Sequence, residues 1–235
     1  GDLVPQLLRA GEGSAKGLAL ASDASGDHPA RVVGIFQDVT VSYHSEMALQ
    51  RAADYDSLTS LANRFQMSQT MEKILNSQRA EQRACAVFLL DLDRFKQVND
   101  TYGHSGGDQL LRAVADRLTH CVRDTDTVAR LGGDEFTILM RGNPSPRDLQ
   151  QFIDRLMQAF ATPFALPDTD GVRVTLGVSI GVAAHPPLPA LVDELLTRAD
   201  HAMYEAKRLG RNRLAHLACM GTPAPGASAV LGAGA

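Results

Sequence analysis

Residues Arg130-Leu131-Gly132-Gly133-Asp134-Glu135-Phe136 put two glycines and two carboxylates at what reads as the tip of a hairpin. The arms, 127–131 and 136–140, both favour strand, and Gly-Gly is a hairpin turn signal. Glycine carries no Cβ, so a phosphate or another backbone can approach closely. Two adjacent acids at such a tip suit a hard divalent cation with oxygen ligands, typically Mg²⁺ beside a phosphate. The other reading is a surface turn with solvated acids. A second set of acids follows the apolar run 84–90, which reads as a strand buried on both faces. It ends on Asp91 and Asp93, with Gly103-His104 and Gly106-Gly107-Asp108 beyond. Charge at the end of a buried strand needs a partner. A metal ion is one solution, and a salt bridge to Arg94 or Lys96 is the other.

In order, the chain presents Asp91-x-Asp93-x-Phe95-Lys96-x-x-Asn99-Asp100, then Gly103-His104, Gly107-Asp108 and Gly132-Gly133-Asp134-Glu135-Phe136. This series closely resembles the GGDEF family of diguanylate cyclases. Upstream, Asp56-Ser57-Leu58-Thr59-Ser60-Leu61-Ala62-Asn63-Arg64 resembles that family's entry motif, with Ser60 and Ala62 in place of its usual Gly and Pro. Downstream, Ser179-Ile180-Gly181-Val182, the run Ala199 to Lys207 and Gly210-Arg211-Asn212 resemble its closing motifs. Several motifs in register are far more specific than Gly-Gly-Asp-Glu-Phe alone.

The resemblance implies condensation of two GTP molecules into cyclic di-GMP with release of two pyrophosphates. It assigns Asp91, the Leu92 carbonyl and Asp134 as ligands of Mg²⁺ or Mn²⁺. Asp134 is also the implied proton acceptor, with Glu135 as second ligand or helper. Lys96 would steady phosphate charge, although a solvated lysine after a strand is its plain role. Lys207 and Arg211 would reach the triphosphate, and dipole capping is the rival role for Arg211. Asn99, His104 and Asp108 match the guanine pocket, where a carboxylate can accept from the ring N–H and the exocyclic amine. Outside that setting His104 would be structural. Arg123 and Asp126 match a product-binding inhibitory site, with a salt-bridged loop as the alternative. An active site of two half-sites implies a homodimer. Two other classes are a catalytically silent module that senses GTP or cyclic di-GMP, and a platform that only dimerises.

The elements that must position these residues follow from periodicity. Met67, Met71, Ile74 and Leu75 make a helical stripe. So do Leu110, Leu111, Val114 and Leu118, then Leu149, Phe152, Ile153, Leu156 and Phe160. A fourth stripe holds Leu191, Leu195, Ala199, Ala202, Met203 and Ala206. Strands are expected at 84–90, 127–131, 136–140 and 172–183, with a short one near 213–217. The fold class is therefore α/β with a hairpin in a central sheet. The resemblance implies the nucleotidyl-cyclase and polymerase-palm arrangement, a five-stranded sheet wrapped by helices.

Residues 56–217 form the expected catalytic domain. In 1–44, strand-like runs at 15–20 and 31–36 flank a Ser/Asp/Gly turn, and 31–40 resembles the exit of a PAS sensor domain. An unrelated hairpin is the alternative. Residues 45–55 read as a linker helix, and the Ala/Gly/Pro-rich 218–235 as a disordered tail. No run is long enough to span a bilayer, and no secretory leader is expected from Gly1-Asp2-Leu3. Cys85, Cys121 and Cys219 show neither metal spacing nor disulfide arithmetic. A cytoplasmic compartment is expected. A net charge of −4 gives no sign of nucleic-acid binding.

Overall fold

A computed structural model describes residues 15–20, 33–38, 52–77, 84–167, 171–185 and 191–217. The chain divides into two compact units, Gly1–Ala52 and Ala53–Ala235. In the first, β1 (Ala15–Leu20) pairs antiparallel with β2 (Val33–Asp38). The second strand starts two residues later than the sequence suggests and runs to Asp38. Of the expected linker helix 52–55 is described, with 52–54 helical and Tyr55 in an isolated bridge to Ala62. The remainder of that segment and the tail 218–235 lie outside the described residues.

The second unit is built on β3 (Cys85–Asp93), the middle strand of a five-stranded sheet. Its apolar run suits burial on both sides. Alternate side chains enter two separate cores, with Ala86, Phe88, Leu90 and Leu92 on one face and Cys85, Val87 and Leu89 on the other. The strand continues past Leu90, so Asp91 and Asp93 lie within it. Its neighbours are β5 (Glu135–Arg141) and β8 (Gly177–His185), both antiparallel. β4 (Thr127–Gly132) pairs outside β5, and β9 (Arg213–Leu217) runs parallel to β8. The expected strand 172–183 is in fact two. Arg173–Val174 (β7) pairs with Phe164–Ala165 (β6) in a separate ribbon, and only from Gly177 does the chain pair with β3. A change of sheet partner at residues 175–176 breaks the run.

Among the described residues four helices cover the sheet. α1 (Arg64–Leu75) starts at Asn63, whose side chain accepts from the Gln66 N–H. α2 spans Phe95–Cys121 and α4 spans Val192–Arg208. α3 (Pro146–Ala161) opens with a capping box between Ser145 and Asp148, with Pro146 in its first turn. The four apolar stripes are buried as expected, except that Leu191 caps α4 and is 67% exposed. It precedes the first turn and never reaches the packed face.

One face of the sheet holds the aromatic core. Phe88 meets Phe152 edge-on at 4.8 Å, and Phe160 meets Phe164 at 5.6 Å. Arg117 closes its rim by donating to the carbonyls of Ala159, Thr162 and Pro163 while lying over the Phe164 ring. The other face is covered by α1 and α4. There, a Cβ on Gly181 would lie 2.1 Å from the Ala199 carbonyl oxygen and 2.3 Å from the Met203 nitrogen. α4 therefore rests almost backbone to backbone on β8, and this sets where its last turn ends.

Candidate active site

The hairpin tip forms as the sequence predicts. Gly133 and Asp134 bridge β4 and β5, with φ of +140° at Gly132 and +53° at Gly133. L-residues rarely adopt either value. A Cβ at either glycine would meet nothing within 4 Å, so the space above the tip is open. The tip is held from behind by Arg130. Its Nε and Nη2 donate to the Gly133 carbonyl at 3.0 and 2.8 Å, and its Nη1 donates to both Asp56 oxygens at 3.1 and 3.2 Å. Burial alone would push the Asp56 carboxyl up. Hydrogen bonds from the Thr59 hydroxyl and N–H, with those and the charge of Arg130, outweigh burial and hold it below its ordinary value. The backbone adds a further tie, since the Arg130 N–H donates to the Ala62 carbonyl at 2.9 Å.

This clamp was not legible as such. Asp56 and Arg130 lie in recognised motifs, yet only the fold brings them together. The entry-motif departures also gain a reason. Ser60 has φ of +58°, a conformation that suits the glycine usual there. Ala62 contributes its carbonyl, a bond a proline would keep.

Asp91 lies in the β3 ladder opposite Glu135 on one side and Ser179 on the other. The Leu92 N–H donates to the Asp134 carbonyl at 3.3 Å, which folds the tip onto the end of β3. Neither Arg94 nor Lys96 is the partner of Asp91, and both are exposed. The partner is Lys207 of α4, whose Nζ lies 2.7 Å from Asp91 Oδ2. Half-burial pushes the Asp91 carboxyl up. Lys207 opposes this, and the nearby charges of Asp134 and Asp93 add to it. Asp93 is buried and satisfied, accepting from the Ser179 hydroxyl and the Asn212 N–H, each at 2.7 Å. Glu135 turns to Arg64, 3.7 Å away on the exposed edge.

The donor set at this point is two carboxylates and the carbonyl of Leu92. Among the described residues no group of three or more His, Cys, Asp or Glu side chains forms a metal cage. Hard oxygens in that number fit Mg²⁺, which takes one or two carboxylates and completes its shell with phosphate and water. The Asp91 carboxyl, pushed up by burial and further by the charges beside it, is also a place where added positive charge is favourable.

Asn99 and Asp108 come together through a break in α2. Gly103 has φ of +71° and interrupts the helix, so the chain after it folds back along the first limb. A Cβ on Gly107 would lie 1.9 Å from Asn99 Oδ1, and one on Gly106 would lie 2.6 Å from the Tyr102 Cβ. Only glycine backbone fits against that limb. Asn99 and Asp108 are half-buried there, His104 is exposed, and Phe95 packs into the core.

Arg211 lies beyond the end of α4, where its N–H returns to the Ala206 carbonyl at 3.2 Å. It is therefore not a last-turn residue, and Lys207 is. Arg123 and Asp126 form a turn. One Asp126 oxygen accepts from the Arg123 N–H and the other from the Arg141 N–H, both at 3.2 Å. Among the described residues no ion pair joins Arg123 to Asp126. The Arg123 side chain faces solvent.

Comparison with known proteins places this arrangement. The family model described as "Diguanylate cyclase, GGDEF domain" matches residues 53–213. Diguanylate cyclase TpbB of Pseudomonas aeruginosa is 38% identical over 172 residues, 72% of this chain and 39% of TpbB. Signaling protein YkoW of Bacillus subtilis is 39% identical over 180 residues, 76% of this chain and 22% of YkoW. The chain thus spans well under half of these relatives. Among solved structures, a truncated TpbB comprising only the GGDEF domain superposes with a TM-score of 0.63 at 37% identity, covering 69% of this chain and 93% of that one. DgcB of Caulobacter crescentus, a coiled coil and GGDEF domain in complex with c-di-GMP, gives 0.65 at 28% identity, with 75% and 92% covered. The family match begins at residue 53, and nothing in these comparisons supports a sensor remnant in 1–44.

Proposed function

This chain belongs to the GGDEF family of diguanylate cyclases, and on that premise we propose that it condenses two GTP into cyclic di-GMP and releases two pyrophosphates. The observation that carries the reading is the convergence of Asp91, Asp134 and Lys207 at the end of β3, below an open glycine tip. Asp91, the Leu92 carbonyl and Asp134 would hold Mg²⁺ or Mn²⁺, which when bound supplies positive charge for the reacting phosphoryl oxygens. Asn99 and Asp108 bind guanine, with His104 at the edge. Lys207, Arg211 and Lys96 orient and neutralise the triphosphate. Asp134 accepts the proton of the attacking 3′-hydroxyl. Glu135 helps as a second acid when Arg64 releases it.

Each chain offers one such half-site, so two GTPs meet only across a two-fold homodimer. Product binds at Arg123 and Asp126 and inhibits. The exposed Arg123 guanidinium supports that role, since arginine can grip phosphate with two parallel bonds. GTP as substrate points to the cytoplasm. Among the described residues no helix is long and apolar enough to cross a membrane.

The test is incubation of the purified chain with GTP and Mg²⁺, with nucleotide products separated and weighed. Cyclic di-GMP is expected, at a rate per chain that rises with protein concentration. Asp134→Ala should lower turnover by about a hundred-fold or more with the fold intact. Product binding without turnover by the parent chain would instead establish the silent sensor reading.

A further inference from the structure

On the side of the sheet covered by α1 and α4, a hollow of about 250 Å³ opens beside the hairpin. Leu89, Leu131, Leu196 and Met203 make it largely apolar. Its rim is charged and divided. Arg64 stands on the α1 side, Asp200 on the α4 side and Glu135 at the hairpin. The ion pair of Arg64 with Glu135 is 3.7 Å long and exposed, so it contributes little. Among the described residues Asp200 makes no ion pair. Glu135 lies opposite Asp91 in the ladder, which puts the hollow next to the carboxylate site.

The residue after Arg64 on α1 is Phe65, and it is 55% exposed. Phe88, Phe95, Phe136, Phe152, Phe160 and Phe164 are all buried, which makes Phe65 the exception. Tyr204, one turn beyond Asp200 on α4, is 61% exposed. Exposed aromatics beside an apolar hollow mark an interaction surface. A knob and a hole on one surface are both satisfied when that surface pairs with itself about a two-fold axis. Charge decides how the copies lie. An axis across the groove would set Arg64 against the partner's Arg64. An axis along the groove lays α1 of each chain over α4 of the other, and Arg64 then meets the partner's Asp200.

We propose that a second copy of this chain docks on this groove, with Phe65 of each chain seated in the other's hollow and Arg64 paired with the partner's Asp200. The inference rests on the cyclase reading above, which requires two half-sites to meet, and it names the face on which they do so. It also couples assembly to chemistry. When Arg64 turns to the partner's Asp200 it leaves Glu135, so the second acid is released only in the dimer.

The experiment is sedimentation of the full chain across a dilution series with Mg²⁺ and a GTP analogue carrying an α,β-methylene bridge, alongside GTP turnover over the same series. Phe65→Ala should weaken dimerisation by about tenfold or more. It should reach the parental rate per chain only at correspondingly higher concentration. Its thermal unfolding should match the parent, because the side chain is exposed in the single chain. Arg64→Asp and Asp200→Arg should each weaken the dimer by setting like charges together, and an equimolar mixture of the two should restore it. The chain holds no tryptophan, so Phe65→Trp supplies one fluorophore whose emission should move to shorter wavelength as concentration rises. A parent chain that dimerises and makes cyclic di-GMP, while Phe65→Ala assembles equally well, overturns this inference alone. A charge-swapped mixture no tighter than its components does the same. Short-wavelength emission independent of concentration also overturns it, because the hollow would then be filled from within one chain. A parent chain that stays monomeric with the analogue bound overturns the face and the half-sites together. A parent chain that dimerises through Phe65 but makes no cyclic di-GMP leaves the face standing and removes the cyclase reading.

Discussion

The two faces of the central sheet are packed in different ways. Under α2 and α3, Phe88, Phe136, Phe152, Phe160 and Phe164 are all fully buried, and side chains hold the layers apart. Under α1 and α4 the contact is thin. Gly181 meets helix backbone directly, and Ala199, Ala202 and Ala206 keep α4 low on the sheet. The Asp91–Lys207 pair belongs to the thin face. Side chains alternate along a strand, so Asp91 and Asp93 share the side of Val87 and Leu89, away from the phenylalanines. Bulk suits stability, since each buried aromatic contributes about 1.5–3 kcal/mol. Closeness suits the site, because only a helix lying against the strand can bring Lys207 to 2.7 Å from Asp91.

If this division is real, substitutions on the two faces should separate stability from activity. The largest effect on stability is expected at the thick face. Phe88→Ala should cost about 4 kcal/mol in urea unfolding, from lost burial and a cavity. Its GTP turnover per folded molecule should stay near that of the parent chain. A large fall in turnover with little loss of stability would break the comparison.

Gly181→Ala is the counterpart on the thin face. The new methyl would collide with backbone rather than with a yielding side chain. A destabilisation of about 2–3 kcal/mol is expected. Activity should fall further than stability explains, because α4 must lift and draw Lys207 from Asp91. Full turnover in a stable Gly181→Ala protein would show that closeness is not what positions the lysine.

Arg130→Ala sharpens the picture at the hairpin. It strips Asp56 and the Gly133 carbonyl of their shared donor and should cost about 2 kcal/mol. A pH series supplies the sign. In the parent chain Asp56 has its folded pKa held below its ordinary 3.8, so its contribution is present above pH 3.8 and is lost as pH falls through the lower value. Without Arg130 that loss should begin at higher pH. Identical acid-unfolding profiles for the two proteins would reduce Arg130 to a surface residue.

The smallest change runs the other way. Ser60→Gly relieves a non-glycine residue at φ +58° and should raise stability by about 0.5–1 kcal/mol. Thermal unfolding measures it, and a lower midpoint would mean that the serine contributes a contact worth more than the strain.

Much of this molecule could be read from local pattern. The Gly-Gly tip, the buried run ending in acids and the helical stripes each rest on residue types a few positions apart, whereas the break at Gly103 appears only in the structure. The grouping of Asp91 and Asp134 with Asn99 and Asp108 came from the family resemblance, and short-range patterns by themselves decide only which way each side chain faces. They do not decide which distant group comes to meet them. Lys207 rather than Arg94 or Lys96 pairs with Asp91 because α4 crosses β8 closely at Gly181. Arg130 finds Asp56 across 74 positions of sequence because β4 is the edge on which the entry loop docks. The split at residues 175–176 and the left-handed backbone at Arg94, Arg211 and Asn212 were equally hidden. Only Asn212 is of a type that favours such backbone; the rest arises when strands from distant parts of the chain compete for the same space.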